Sequence, residues 1–233
     1  MICQRPKSNT VFVSQIEDIA PQIRRIRICG ERIRKMRWSP GQKIKIKVGT
    51  YLRSYTPAKV DSNLGWLDLI FHIHGKGVAS KWAQDVCLGA RISFIGPIDS
   101  MPSFDESPKW CLFLGDETTL GLSMALLNSM SNKVEKIGAI ELSSENLIAV
   151  ETLQLPLTPV QRDGQYGYAI LQWLSQVQLP EGNGIIWVSG EVQMVRNLRL
   201  ALITRGVQPE QIKVKPYWSL KGHAHRTSLQ KVM

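Results

Sequence analysis

Ahead of Pro97 the apolar residues either alternate with polar ones or gather in short runs: Val11-Phe12-Val13, Ile23 to Ile28, Ile44-Lys45-Ile46-Lys47-Val48, Leu67 to Ile73 and Ile92 to Ile95. Period-two spacing and short runs predict several strands, and with a brief helix over Ser80 to Val86 they suggest a small barrel. The texture changes across Pro97 to Pro108, where prolines and small polar residues read as a linker. Beyond it, the run Trp110-Cys111-Leu112-Phe113-Leu114 suits a strand buried on both faces. Thr118 to Met130 then follows a helical period, and Ile137 to Leu142 reads as the next strand. The alternation continues with a helix at Tyr168 to Val177, a strand at Gly184 to Ser189, a helix at Val192 to Thr204 and a strand at Ile212 to Tyr217. Such a series implies a parallel sheet whose ligands sit beyond the carboxyl ends of its strands. The expected organisation is a β-barrel domain over 1–104, an α/β domain over 105–218 and a tail over 219–233.

A chain of 233 residues that is 43% hydrophobic can fill the cores of two such domains. No uncharged apolar stretch reaches membrane-spanning length, so the expectation is a cytoplasmic protein with no membrane partner. Cys3, Cys29, Cys87 and Cys111 lie far apart without a CxxC, which points to neither a zinc site nor a disulfide framework. Twenty-nine Lys plus Arg against nineteen Asp plus Glu, a formal charge of +10, favour an anionic partner without naming it. These cations are spread from Arg24 to Arg226, as on a solvated surface, and no basic helix interleaves with aromatics, so nucleic acid is not expected as the partner.

Three segments carry candidate chemistry. Arg53-Ser54-Tyr55-Thr56-Pro57 ends a strand and combines a fixed cation, an aromatic ring and hydroxyls, a set that suits the phosphate, ring face and polar edge of a flavin nucleotide. An ordinary strand end with a surface arginine would read the same. His72-Ile73-His74-Gly75-Lys76-Gly77-Val78-Ala79-Ser80 runs from a strand through a glycine turn into a helix, where backbone amides and the helix start can approach a pyrophosphate. His72 and His74 share a strand face, but no third ligand is evident nearby, so no metal site is assigned. Gly115-Asp116-Glu117-Thr118 occupies the first strand-to-helix junction of the α/β domain, and Ser189-Gly190-Glu191 repeats the arrangement at a later junction. Asp116 and Thr118 also suit simple helix caps.

With RSYT, HGKGVASKWA, GDETTL, WVSGE and Tyr217-Trp218-Ser219-Leu220-Lys221-Gly222 in this order and spacing, the sequence resembles the siderophore-interacting family of FAD-dependent ferric reductases from Thr10 to Gly222. The resemblance implies a ferredoxin-reductase-like fold: an antiparallel FAD-binding barrel followed by a parallel-sheet NAD(P)-binding domain. It implies FAD and NAD(P)H as cofactors and an anionic ferric siderophore as the substrate, reduced from Fe(III) to Fe(II). By position, Arg53, Ser54, Tyr55 and Thr56 would hold the flavin. His72, His74, Gly75, Gly77, Ala79 and Ser80 would line its phosphate and adenine side, and Gly115, Asp116, Glu117, Thr118, Gly190 and Glu191 would border the nicotinamide.

The sequence departs from the family at Val78, where proline is usual, and at Ser219-Leu220, where basic residues are common. Lys45, one of three lysines alternating with Ile44, Ile46 and Val48, is the positional match for a substrate-binding lysine, and Lys221 is a second candidate. No catalytic protein residue is assigned, because the redox chemistry belongs to the flavin. Ser143, Ser144 and Arg162 are candidates for a 2′-phosphate, which leaves NADH against NADPH open. The rival functions are a flavin-dependent reductase serving a protein acceptor and, more distantly, a non-enzymatic basic nucleic-acid-binding module. A monomer is expected.

Overall fold

Strand β1, Val11–Ala20, hydrogen-bonds antiparallel to β2, Ile23–Cys29, whose inward residues Ile23, Ile26 and Ile28 are buried. The computed structural model describes residues 10–100 and 108–220. A single helical turn, α1, Glu31–Arg34, precedes β3, Lys43–Val48, and β4, Tyr51–Tyr55. Then come β5, Lys59–Asp61, β6, Trp66–His72, the helix α2, Val78–Asp85, and the strands β7, Arg91–Ile92, and β8, Phe94–Ile98. Two sheets result, in the orders β5-β6-β2-β1-β7 and β4-β3-β8. Their inward residues share one core: Val13, Ile26 and Leu69 from the larger sheet pack in the same cluster as Ile44, Ile46 and Phe94 from the smaller. The alternation in β3 thus reports a face that closes against a second sheet, which is the predicted antiparallel barrel.

The α/β part begins with β9, Trp110–Asp116, buried throughout. It continues through α3, Leu120–Ser129, β10, Glu135–Leu142, α4, Ile148–Thr152, β11, Thr158–Gln161, α5, Tyr168–Gln176, β12, Gly184–Glu191, α6, Val192–Thr204, and β13, Ile212–Trp218. The sheet is parallel throughout, in the order β11-β10-β9-β12-β13. That order reverses between β9 and β12, the point at which open α/β sheets take ligands. The sequence pattern missed β11, whose Pro159 and four-residue length hide it. Proline is tolerated there because β11 is an edge strand.

The chain divides into two compact units. One comprises 1–100 with Gly121–Ser129, and the other 101–120 with 130–233. The division therefore does not fall as a clean cut at 104/105. Most of α3 groups with the first unit, where a Cβ on Gly121 would stand 3.0 Å from the Thr56 carbonyl oxygen. Among the described residues no helix is long and apolar enough to cross a membrane.

Candidate functional site

In the barrel unit, pairing fixes which side chains share a face. Ile44, Ile46 and Val48 of β3 lie opposite Tyr55, Arg53 and Tyr51 of β4, so Arg53 and Tyr55 lie on the inward side of that sheet. Lys45 pairs with Ser54 and Lys47 with Leu52, which sets both lysines and Ser54 on the other face. The candidate flavin residues Arg53 and Tyr55 and the candidate substrate residue Lys45 are therefore separated by the thickness of one sheet. Lys221 lies outside the described residues.

Tyr55 and the glycine turn meet through a third ring. Phe71, at the end of β6, has its ring centroid 4.3 Å from that of Tyr55 and 5.5 Å from that of Trp82 in α2. Burial pushes the Tyr55 phenol up to about 12 against the opposing pull of Arg53, so the ring stays neutral at physiological pH. The Arg53 guanidinium sits 5.2 Å from the Tyr51 ring centroid and donates to the Leu52 carbonyl, with no carboxylate partner among the described residues. Thr56 is buried.

After β6 the chain turns through Gly75 and Gly77, at φ 73° and 80°, where a Cβ would meet nothing within 4 Å. Left-handed backbone selects glycine here, and the open space leaves the main chain approachable. The buried Ser80 hydroxyl accepts from the Gly75 amide at 3.0 Å, so Ser80 shapes the turn from within, and Ala79 is buried next to it. No side chain caps the first amides of α2. His74 accepts the Lys76 amide at Nδ1, and burial followed by the Lys76 charge holds its imidazole below the ordinary range. The His72 and His74 rings are 5.4 Å apart, and no group of three metal-ligating side chains occurs among the described residues. An uncompensated cation, a neutral aromatic ring and an open glycine turn fit a phosphate-bearing flavin.

In the α/β unit, the residues singled out in sequence do gather at the carboxyl edge of β9 and β12, but they bond chiefly to one another. Asp116 is fully buried and accepts four hydrogen bonds: from the Thr118 amide at 2.9 Å, the Thr118 hydroxyl at 2.5 Å, the Glu191 amide at 2.8 Å and the Trp218 indole at 3.0 Å. Gly190 is required there, because a Cβ would stand 2.4 Å from Asp116 Oδ2 and the backbone has φ 124°. A Cβ on Gly115 would fall 2.2 Å from the Thr119 hydroxyl. Glu191 caps α6, accepting from the Gln193 and Met194 amides, and also accepts from the Leu220 amide. These acids therefore shape the edge from inside, and Trp218, known from the sequence only as part of the closing motif, is fixed by one of them. Its partner Asp116 lies 102 residues away, a separation no local pattern reports.

Burial raises the Asp116 carboxyl to about 6, more than its hydrogen bonds hold it down. The folded state therefore binds this proton more tightly than the unfolded chain does, and the associated cost of burial is relieved as pH falls through 6. The expected contribution is about 1 kcal/mol of added stability between pH 7 and pH 5. Urea unfolding at the two pH values should show that increment in the native protein and lose it in Asp116→Asn.

Arg162, a candidate for a 2′-phosphate, is already committed. Its guanidinium pairs with Glu117 Oε2 at 2.5 Å and with Glu141 Oε2 at 3.4 Å, and it lies 3.8 Å from the centroid of the Tyr166 ring. Glu117 also accepts from the Ser143 amide, and Glu141 accepts from the Gly167 amide at the start of α5. Tyr166 meets Trp218 edge-on with centroids 5.1 Å apart, so the network runs from β11 across to β13.

Comparison with known proteins places this geometry in context. The profile described as siderophore-interacting protein matches residues 108–221, and that described as siderophore-interacting FAD-binding domain matches residues 47–101. An NADPH-dependent ferric-chelate reductase of Escherichia coli strain K12 is 26% identical over 171 residues, which cover 72% of this chain and 66% of that protein, just short of two thirds of its length. Among solved structures, a siderophore utilization protein from T. fusca superposes with a TM-score of 0.78 at 21% identity, covering 92% of this chain and 93% of that one. A siderophore-interacting protein from Aeromonas hydrophila does so with a TM-score of 0.73 at 22% identity, covering 91% and 97%. The same fold recurs in the ferredoxin reductase of carbazole 1,9a-dioxygenase, with a TM-score of 0.72 at 16% identity over 90% of this chain and 69% of that one.

Proposed function

We propose, from the premise that this chain belongs to the siderophore-interacting protein family, that it is an FAD-dependent NAD(P)H oxidoreductase that reduces Fe(III) held in an anionic siderophore. The observation that carries the reading is the Phe71 ring, which joins Tyr55 of the RSYT segment to Trp82 behind the glycine turn, so both flavin-binding segments lie at one end of the barrel. Bound FAD would supply hydride-accepting and one-electron redox chemistry between the nicotinamide and the iron, whose ferrous form is held less tightly by hard oxygen ligands.

The chain's own residues position and attract. Arg53 offers a forked donor to a flavin phosphate, and the neutral Tyr55 ring offers a flat apolar face. Gly75 and Gly77 let backbone approach the pyrophosphate at the start of α2. Lys45, on the opposite sheet face, acts on an anionic chelate through the field of its strand rather than by sharing the flavin's contacts, and Lys221 is a second candidate cation. The reading extends to a cytoplasmic monomer with no membrane or nucleic-acid partner, supported by family membership and tested by light scattering of the flavin-loaded protein.

The decisive experiment adds FAD to the purified protein, records the flavin absorption bands after desalting, and then follows anaerobic Fe(II) release from catecholate, hydroxamate and citrate complexes with a ferrous-specific chelator. Retained flavin with turnover on at least one complex is expected. Absence of a flavin spectrum overturns the assignment, and turnover confined to a flavodoxin or ferredoxin acceptor favours the protein-acceptor alternative.

A further inference from the structure

We propose, resting on the reductase reading above, that this chain takes NADH in preference to NADPH, because Glu117 and Glu141 occupy Arg162, the cation that the described residues place at the adenosine end of its nucleotide crevice. In a parallel sheet ordered as this one is, the dinucleotide crosses at the reversal between β9 and β12, and its adenosine ribose lies at the carboxyl end of the second strand, here β10. Acidic groups there receive a ribose 2′-hydroxyl, whereas a 2′-phosphate needs an available arginine or lysine.

The charge along this part of the chain runs against the rest of the molecule. The protein as a whole carries a formal charge of +10, yet Arg162 is the one basic residue between Ile137 and Val195, a stretch that contains Glu141, Glu145, Glu151, Asp163, Glu181 and Glu191. Arg162 itself is covered: its side chain is 13% exposed, and those of its partners Glu117 and Glu141 are 1% and 0% exposed. Arg162 gives Nε to Glu141 and Nη2 to Glu117, so a 2′-phosphate would have to share a guanidinium whose charge already balances two buried carboxylates. An incoming dianion adds negative charge beside both acids, and drawing Arg162 towards it would strand them. A 2′-hydroxyl brings no charge and leaves the network whole. The ion-pair network is thus a specificity device as well as a structural one, with Glu117 and Glu141 as positioning residues that withhold Arg162 from phosphate.

The test uses the FAD-loaded full chain and two probes that differ only by the 2′-phosphate, 5′-AMP and adenosine 2′,5′-diphosphate, titrated calorimetrically and accompanied by kcat/KM for NADH and NADPH. The expected result is that 5′-AMP binds at least as tightly as the 2′-phosphorylated probe and that kcat/KM favours NADH by about tenfold or more, a difference of about 1.4 kcal/mol. Ser144→Arg places an uncompensated guanidinium at an exposed position just past β10. It is expected to tighten the 2′-phosphorylated probe about tenfold while 5′-AMP stays within about threefold, reflecting one new charge-assisted hydrogen bond. Tighter binding of the 2′-phosphorylated probe by the unaltered protein, a preference for NADPH, or no response in Ser144→Arg overturns the proposal and leaves the reductase assignment standing. Failure of both probes to bind, together with no oxidation of either dinucleotide, overturns both.

Discussion

Arg162→Met is expected to destabilise the α/β unit by about 3–5 kcal/mol, because it leaves two buried carboxylates without their shared cation. Glu117 is 2% exposed and Glu141 0% exposed, and the Arg162 guanidinium is the only basic group paired with either among the described residues. Methionine keeps much of the length and apolar stem of arginine, so the loss reports the missing charge rather than a cavity. Urea unfolding followed by tryptophan fluorescence measures it. The double variant Arg162→Met/Glu117→Gln removes one stranded charge while leaving an amide oxygen able to accept from Ser143, so it should be more stable than the single variant. A loss below about 1 kcal/mol, the range of exposed ion pairs, would show that water reaches these groups and that the network does not withhold Arg162.

Arg53→Ala is expected to weaken FAD binding by about 10–100-fold, the equivalent of one charge-assisted hydrogen bond to phosphate. Arg53 has no carboxylate partner among the described residues; it lies against the Tyr51 ring and donates to the neighbouring Leu52 carbonyl. Its removal therefore strands no buried charge, and the apo protein should unfold at nearly the native urea concentration. Arg53→Lys should fall between, since a point charge replaces a planar fork. Quenching of FAD fluorescence on titration gives the dissociation constants. A Kd unchanged by Arg53→Ala would remove Arg53 from the flavin site while leaving the barrel intact.

The contrast between these two arginines shows what could be read from the chain in advance. Arg53 lies within β4 and Arg162 just past β11, and by residue type either could meet a phosphate. Only the pairing of distant segments distinguishes them, since Arg162 meets Glu117 across 45 residues of sequence. The glycine turn was legible because Gly75 and Gly77 answer a local backbone need, with φ values that other residues rarely adopt. The acids at Asp116, Glu117 and Glu191 were also recognisable as a group, but not the direction in which their lone pairs point, which proved to be inward to Trp218, Ser143, Arg162 and the start of α6.

The lysine face of β3 divides along the same line. Alternation with Ile44, Ile46 and Val48 announced that Lys43, Lys45 and Lys47 share a side, whereas their separation from Arg53 and Tyr55 depends on a cross-strand register. Most of the order of strands and helices was set by the sequence alone, because hydrophobic period is a property of consecutive residues and α6 fell on the very span its pattern predicted, Val192–Thr204, while the short β11 and α4 escaped it. Which charges are free to act was decided only in three dimensions, because a charge is neutralised by whatever the fold brings within a few ångströms, however far away it lies along the chain.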